Sequence, residues 1–261
     1  MPPRLLLLIS LMFPTSTMAE DAVLKELFSR YGLEGTIVIA SQRQGVRYLH
    51  HDARAEMLFP TASTFKILNT LIAVQENVIA DKDSVLEWDG QHREIEDWNR
   101  DQTLQSAFKV SCVWCYQAIA RRIGADNYRE YLRKTGYGTL REPFDASTFW
   151  LDGSLQISAV GQVEFLKRLH ACTLPFSQQA FDTLREIMLA EKTPTYTLWA
   201  KTGWAARSAQ QVGWYVGYVE TLDDVWYFAL NIDITDEQAL PLRAKLTREA
   251  LVAKGILPAS H

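Results

Sequence analysis

The chain has 261 residues, 48% hydrophobic and 22% charged, with 13 glycines and 9 prolines, the composition of one globular unit or at most two. Disorder, collagen and coiled coil are excluded. Its 27 basic and 31 acidic residues give a net charge of -4 without runs of one sign, which points to no nucleic-acid partner, and no segment recurs at a fixed period as a solenoid requires.

Residues 1–19 stand apart. One cation, Arg4, precedes the apolar stretch Leu5–Phe13, then Pro14 and the small-x-small pattern Thr17-Met18-Ala19 ahead of Glu20. This is read as a secretory signal peptide removed after Ala19, because the apolar run is about half of the roughly 20 residues a bilayer span needs. Residues 20–261 are then expected as one domain with no membrane anchor. Three cysteines are too few for a disulfide-based fold, and one stays unpaired in any monomer. For Cys112 and Cys115 buried free thiols are expected, since two side chains so spaced on a helix diverge too far for an unstrained disulfide.

In chain order, Ala22–Phe28 reads as a helix, and Gly35–Ala40 with Val46–Leu49 as a hairpin around Gln42-Arg43-Gln44-Gly45. Ile67, Leu68, Leu71, Ile72 and Gln75 keep a 3.6-residue period, as do Tyr116, Ile119, Ala120 and Ile123, and then Tyr128 and Leu132 before Gly136. Ala159–Leu169 and Gln178–Leu189 are further amphipathic helices. Thr195–Ala200, Val212–Val219 and Val225–Ile232 are rich in β-branched and aromatic residues and predict three antiparallel strands, followed by a closing helix over Leu240–Lys254. The fold class is therefore α+β: an antiparallel sheet built from both termini, flanked by helices, with an inserted helical subdomain. A site is expected where the two parts meet.

Several chemistries lack their residues. There is no His-Glu-x-x-His, Gly-x-Ser-x-Gly, phosphate-cradling glycine loop or paired Cys-x-x-Cys knot, so no metal is expected. His50, His51, His92, His170 and His261 lie in polar contexts and read as surface residues, which leaves a Ser-His-Asp triad without a base. A serine activated by lysine remains. Ser63-Thr64-Phe65-Lys66 opens an apolar helix, and at about 1.5 Å per residue its serine and lysine lie one turn apart. Ser106-x-x-Lys109 repeats the pattern. Ser-x-Val also occurs twice, at Ser111-Cys112-Val113 and Ser158-Ala159-Val160, and Lys-Thr-Gly at Lys134-Thr135-Gly136 and Lys201-Thr202-Gly203. Context separates the copies. Lys134-Thr135-Gly136 ends a helix as a glycine C-cap and Ser158 starts one as an N-cap, whereas Lys201-Thr202-Gly203 continues a strand whose glycine lets a ligand approach the backbone. Ser111 sits on a connection where its hydroxyl could face a cleft.

The ordered set Ser63-x-x-Lys66, Ser111-x-Val113, Lys201-Thr202-Gly203 resembles the site of penicillin-recognising serine acyltransferases. With Pro60-Thr61-Ala62-Ser63-Thr64-Phe65-Lys66, Phe149-Trp150-Leu151, Trp204 after the Lys-Thr-Gly, and Gly213-Trp214-Tyr215-Val216-Gly217, the whole chain past residue 19 is similar to the class D β-lactamases. Tyr137-Gly138-Thr139 stands where that family has Tyr-Gly-Asn, a departure that removes no reacting group.

An ordinary lysine is neutral in only about one molecule in 2,500 at pH 7, and burial against Phe65, Val113, Trp150 and Leu151 would raise that fraction. The resemblance implies the remaining roles. Ser63 is the nucleophile. Lys66 carries a CO₂-derived carbamate supported by Trp150 and Val113, and no other cofactor is expected. Ser111 and Lys201 relay a proton to the leaving nitrogen, and the backbone N–H groups of Ser63 and Trp204 form the oxyanion hole. Thr202, Gly203 and Arg243 hold the substrate carboxylate, and Trp98 and Leu151 form an apolar wall. The implied protein is a periplasmic, monomeric or homodimeric hydrolase whose partner is a small-molecule β-lactam. A β-lactam sensor, a cell-wall DD-peptidase and a plain binding module share parts of such a site and differ from it in turnover.

Overall fold

The computed structural model describes residues 20–208 and 210–259, so the expected leader, residues 1–19, and His261 lie outside the described part. Helix α1 (Ala22–Tyr31) leads into the hairpin β1 (Gly35–Ser41) and β2 (Arg47–His50), followed by α2 (Asp52–Glu56) and the short β3 (Phe59–Pro60). The helical part comprises α3 (Lys66–Gln75), β4 (Val85–Leu86), β5 (Gln102–Thr103), α4 (Leu104–Lys109), α5 (Val113–Ile123), α6 (Ala125–Thr135), β6 (Thr139–Leu140) and β7 (Leu155–Ile157). Helices α7 (Ala159–His170) and α8 (Gln178–Met188) return the chain to strands β8 (Leu189–Lys192), β9 (Tyr196–Trp204), β10 (Val212–Thr221) and β11 (Val225–Asp233), and α9 (Leu242–Ala253) closes the domain.

Six strands form one antiparallel sheet in the order β2-β1-β11-β10-β9-β8, with Val38 opposite Ala229 and Val216 opposite Lys201. Both termini contribute to it, as the apolar runs predict. Alternation along each strand divides the core: Ile37, Ile39, Phe228 and Leu230 pack against Leu24, Phe28, Leu246 and Leu251 of α1 and α9. Val38, Ala229, Trp214 and Val216 face the helical part. With both faces buried, β1 shows no polar alternation and all seven of its residues are buried. The predicted helices form with the expected caps: Ser158 accepts from the N–H of Gly161 at 3.0 Å, and Gly136 ends α6 at φ 57°.

One element differs from the sequence reading. Leu189, expected as the last residue of α8, begins β8, which covers β9 only as far as Trp199. From Ala200 to Trp204 the outer edge of β9 is therefore open beside the helical part. Among the described residues no helix is long and apolar enough to cross a membrane.

Candidate active site

Ser63 lies in a 3-10 helix, Ala62–Phe65, and Lys66 begins α3 directly after it. The sequence pattern implied a plain α-helix. The tighter turn eclipses positions i and i+3, which brings Lys66 Nζ to 2.8 Å from Ser63 Oγ. Ala62 holds φ 45°, a conformation a non-glycine residue keeps only when its surroundings over-determine it. Those surroundings are the sheet and α7. The Trp214 indole N–H of β10 donates to the Pro60 carbonyl (2.9 Å), the Thr64 hydroxyl donates to the Thr61 carbonyl (2.6 Å), and Gln162 of α7 donates to Thr64 Oγ1 (2.8 Å).

Lys66 is fully buried, and no carboxylate pairs with it among the described residues. An unpaired interior ammonium costs several kcal/mol, so burial holds its pKa well below the ordinary lysine value, and the nearby Lys201 charge lowers it further. Phe65 and Trp150, both fully buried, stack at 5.7 Å between centroids, and Nζ lies 5.1 Å from the Tyr116 ring centroid. Val113 and Leu151, expected to complete this enclosure, are only half-buried. Among the described residues the buried Trp150 indole N–H finds no acceptor, a loss of about 1–3 kcal/mol.

Across the cleft, β9 presents Lys201 and Gly203 on the face shared with Trp199. Lys201 Nζ meets Ser111 Oγ at 2.5 Å and the Thr202 carbonyl at 3.0 Å. Burial and the Arg243 charge lower its pKa to about 7. Gly203 was expected to admit a ligand; a Cβ there would lie 3.1 Å from Thr64 Cγ2. The close approach is thus between β9 and the turn that carries Ser63, and it sets the width of the site. Arg243 of α9 is half-buried and donates from Nη1 to the Gly203 carbonyl at 2.5 Å, with its pKa lowered to about 10 by desolvation. Its place beside Thr202 and Gly203 excludes a solvated surface cation. Trp204 ends β9 with its indole donating to Gln211 at 3.1 Å.

The duplicate motifs separate as context predicts. Ser106 closes a capping box with Thr103 at the start of α4, and Lys134 pairs with Glu130 one turn back on α6. Trp98 donates to the Val110 carbonyl (3.0 Å), and its own carbonyl accepts from the Trp114 indole (2.9 Å), which ties the expected apolar wall to the segment carrying Ser111. Thr139 is exposed at the start of β6.

Two expectations are corrected. Cys112 and Cys115 form a disulfide rather than free thiols: Cys112 is the N-cap of α5 and not a residue inside the helix, and its Cα lies 5.5 Å from that of Cys115, within disulfide range. His170 is no simple surface residue: it bridges Glu220 (3.0 Å) and the Tyr227 hydroxyl (3.1 Å), and His50, half-buried, pairs with Glu20. Thr64, Gln162 and Tyr116 were missed as site residues. Thr64 stood inside the motif; Tyr116 lay on the apolar stripe of α5, and nothing local marks the ring as facing Lys66.

A profile described as the penicillin binding protein transpeptidase domain matches residues 35–252, which agrees with a serine and two buried lysines between a sheet edge and a helical part. Beta-lactamase OXA-48 of Klebsiella pneumoniae is 38% identical over 231 residues, 88% of this chain and 87% of that one. Beta-lactamase OXA-10 of Pseudomonas aeruginosa is 35% identical over 244 residues, 92% of each chain. Among solved structures, the class D β-lactamase YbXI from Nostoc superposes with a TM-score of 0.87 at 42% identity, covering 90% of this chain and 99% of its own. FUS-1 (OXA-85) from Fusobacterium nucleatum subsp. polymorphum gives 0.89 at 35%, covering 92% and 100%. The chain belongs to the class D β-lactamases, enzymes that hydrolyse β-lactam antibiotics.

Proposed function

We propose that the chain is a secreted β-lactamase working through an acyl-Ser63 intermediate, with Lys66 as the seat of the general base. The observation that carries this reading is the 2.8 Å separation of Ser63 Oγ from a fully buried Lys66 Nζ that no carboxylate pairs with among the described residues. Ser63 attacks the lactam carbonyl and gives its proton toward the Lys66 side chain. The carbonyl oxygen gathers charge facing the backbone N–H groups of Ser63 and Trp204. As the C–N bond breaks, Ser111 gives its proton to the nitrogen and is resupplied by Lys201, 2.5 Å away. Water then adds to the ester carbonyl, and Ser63 leaves with a proton.

Arg243 and Thr202 hold the substrate carboxylate, and Trp98 and Leu151 exclude water from its side chain. A buried lysine whose pKa is held well below the ordinary value and the Trp150 N–H that has no acceptor among the described residues fit an N-carboxylated Lys66, with Trp150 as the donor that holds it and Val113 beside it. Such a carbamate supplies an anionic base in a cavity where a free amine would be the alternative. Secretion is supported by the leader read at residues 1–19 and places the enzyme in the periplasm.

Steady-state turnover of a chromogenic cephalosporin and benzylpenicillin by residues 20–261 tests the reading. Multiple turnovers with a transient mass adduct on Ser63 are expected; an adduct that never clears would identify a sensor. Lowering the pH should reduce activity and bicarbonate should restore it, with Trp150→Ala raising the requirement. Full activity in CO₂-depleted buffer, with no carbamate signal in carbon-13 NMR, would discard the carbamate.

A further inference from the structure

Ser111 reaches Lys201 from an unusual backbone. Its φ is 54°, in the left-handed region that favours glycine, and it joins α4 to α5. Upstream, the turn is held by the N–H of Ser111 on the Phe108 carbonyl (3.3 Å) and that of Cys112 on the Ala107 carbonyl (2.9 Å). Downstream, Cys112 caps α5 through its sulfur, which accepts from the Cys115 N–H at 3.3 Å, and the same sulfur is bonded to Cys115. Both cysteines are fully buried.

We propose that the Cys112–Cys115 disulfide is a positioning element for Ser111, so that β-lactam acylation by this enzyme is thiol-sensitive. The proposal rests on the assignment of Ser111 as the proton relay. A left-handed serine relaxes to negative φ unless both flanks are fixed. The cross-link closes the first turn of α5 on the residue after Ser111, so opening it frees one flank and turns Oγ away from Lys201. Opening is a two-electron exchange: a dithiothreitol thiolate attacks one sulfur, the S–S bond breaks, and the reagent closes to its cyclic disulfide, leaving two thiols on the protein.

The test uses residues 20–261. Thiol titration of the unfolded, unreduced chain should find one free thiol, Cys172, and all three cysteines after dithiothreitol. Oxidised protein, protein refolded in dithiothreitol, and the Cys112→Ala/Cys115→Ala variant are compared with benzylpenicillin well below their melting temperatures. The acylation rate should fall about tenfold or more in the last two, with deacylation changed less than about threefold and the pH profile of acylation displaced. A structural brace alone would lower the melting temperature and leave the rates and the pH profile in place.

Three free thiols without reductant would overturn the proposal, as would acylation within about twofold of the oxidised enzyme in both reduced forms. If the double variant does not fold, the refolded reduced protein decides. Unchanged acylation in Ser111→Ala would remove the relay itself, a result separate from cysteine variants that acylate normally beside an impaired Ser111→Ala.

Discussion

Ser63-x-x-Lys66 and Ser106-x-x-Lys109 are the same four-residue pattern in two environments. Ser106 lies in α4, where its hydroxyl accepts from the Thr103 N–H (2.9 Å) and donates to Gln102 (2.6 Å), and Lys109 extends into solvent. Ser63 lies in a 3-10 turn against β9, and its lysine is fully buried with the Tyr116 ring 5.1 Å from its Nζ. One lysine stands in water, while burial holds the pKa of the other well below the ordinary lysine value. Spacing brings a lysine to a serine; burial lowers its pKa.

The widest separation between the two copies is expected at Ser63, the proposed nucleophile. Ser63→Ala should lose at least about a thousandfold in kcat/KM and form no covalent adduct with benzylpenicillin by mass spectrometry. An acyl adduct on that variant would break the comparison. At the lysines, Lys66→Ala should lose about a hundredfold or more in acylation rate, the scale of a missing general base, whereas Lys109→Ala should stay within about twofold in the same stopped-flow assay.

Arg243→Ala should raise KM for benzylpenicillin and lower kcat/KM about tenfold, since a charged hydrogen bond to the carboxylate is lost. It also removes the charge that, after burial, lowers the pKa of Lys201, so the limb of the pH profile due to Lys201 should move to higher pH. A change below about threefold, roughly 0.6 kcal/mol, would show that Arg243 braces Gly203 only.

The buried amines also tie stability to pH. The folded state holds Lys201 near a pKa of about 7, against 10.5 for an ordinary lysine, so between these values the unfolded chain binds more protons and stability rises with pH. Urea unfolding at pH 7 and pH 9 should show that rise, and Lys201→Met should flatten it. The smallest effect belongs to the unreactive copy. Ser106→Ala should leave kcat/KM unchanged and cost about 1 kcal/mol of stability through the lost capping box, as read by thermal denaturation.

Periodicity and turn chemistry made most of the fold legible: the hairpin at Gln42–Gly45, the stripe of α3, the cap at Ser158 and the stop at Gly136 are local properties, written in the residues that form them. The strand β8 was not legible, because Leu189-Ala190-Glu191-Lys192 has no alternation of its own and pairs only through β9. Ser63, Lys66, Ser111 and Lys201, which the fold pairs, were legible as an ordered set of motifs. Their chemistry was not. Four facts depend on segments far apart in the chain: the 3-10 turn that brings Nζ to 2.8 Å, the Tyr116 ring over Lys66, the packing of Thr64 on Gly203, and the reach of Arg243 from α9 to β9. The cysteine pair marks the same boundary within a few residues. Spacing on a helix predicted thiols, but the chain reversal after α4 leaves Cys112 outside the helix as its cap, and that backbone turn places it within bonding reach of Cys115. Sequence by itself determined which side chains were available and which elements they ride on; tertiary packing decided their desolvation and mutual distance, because both are set by neighbours the local chain does not contain.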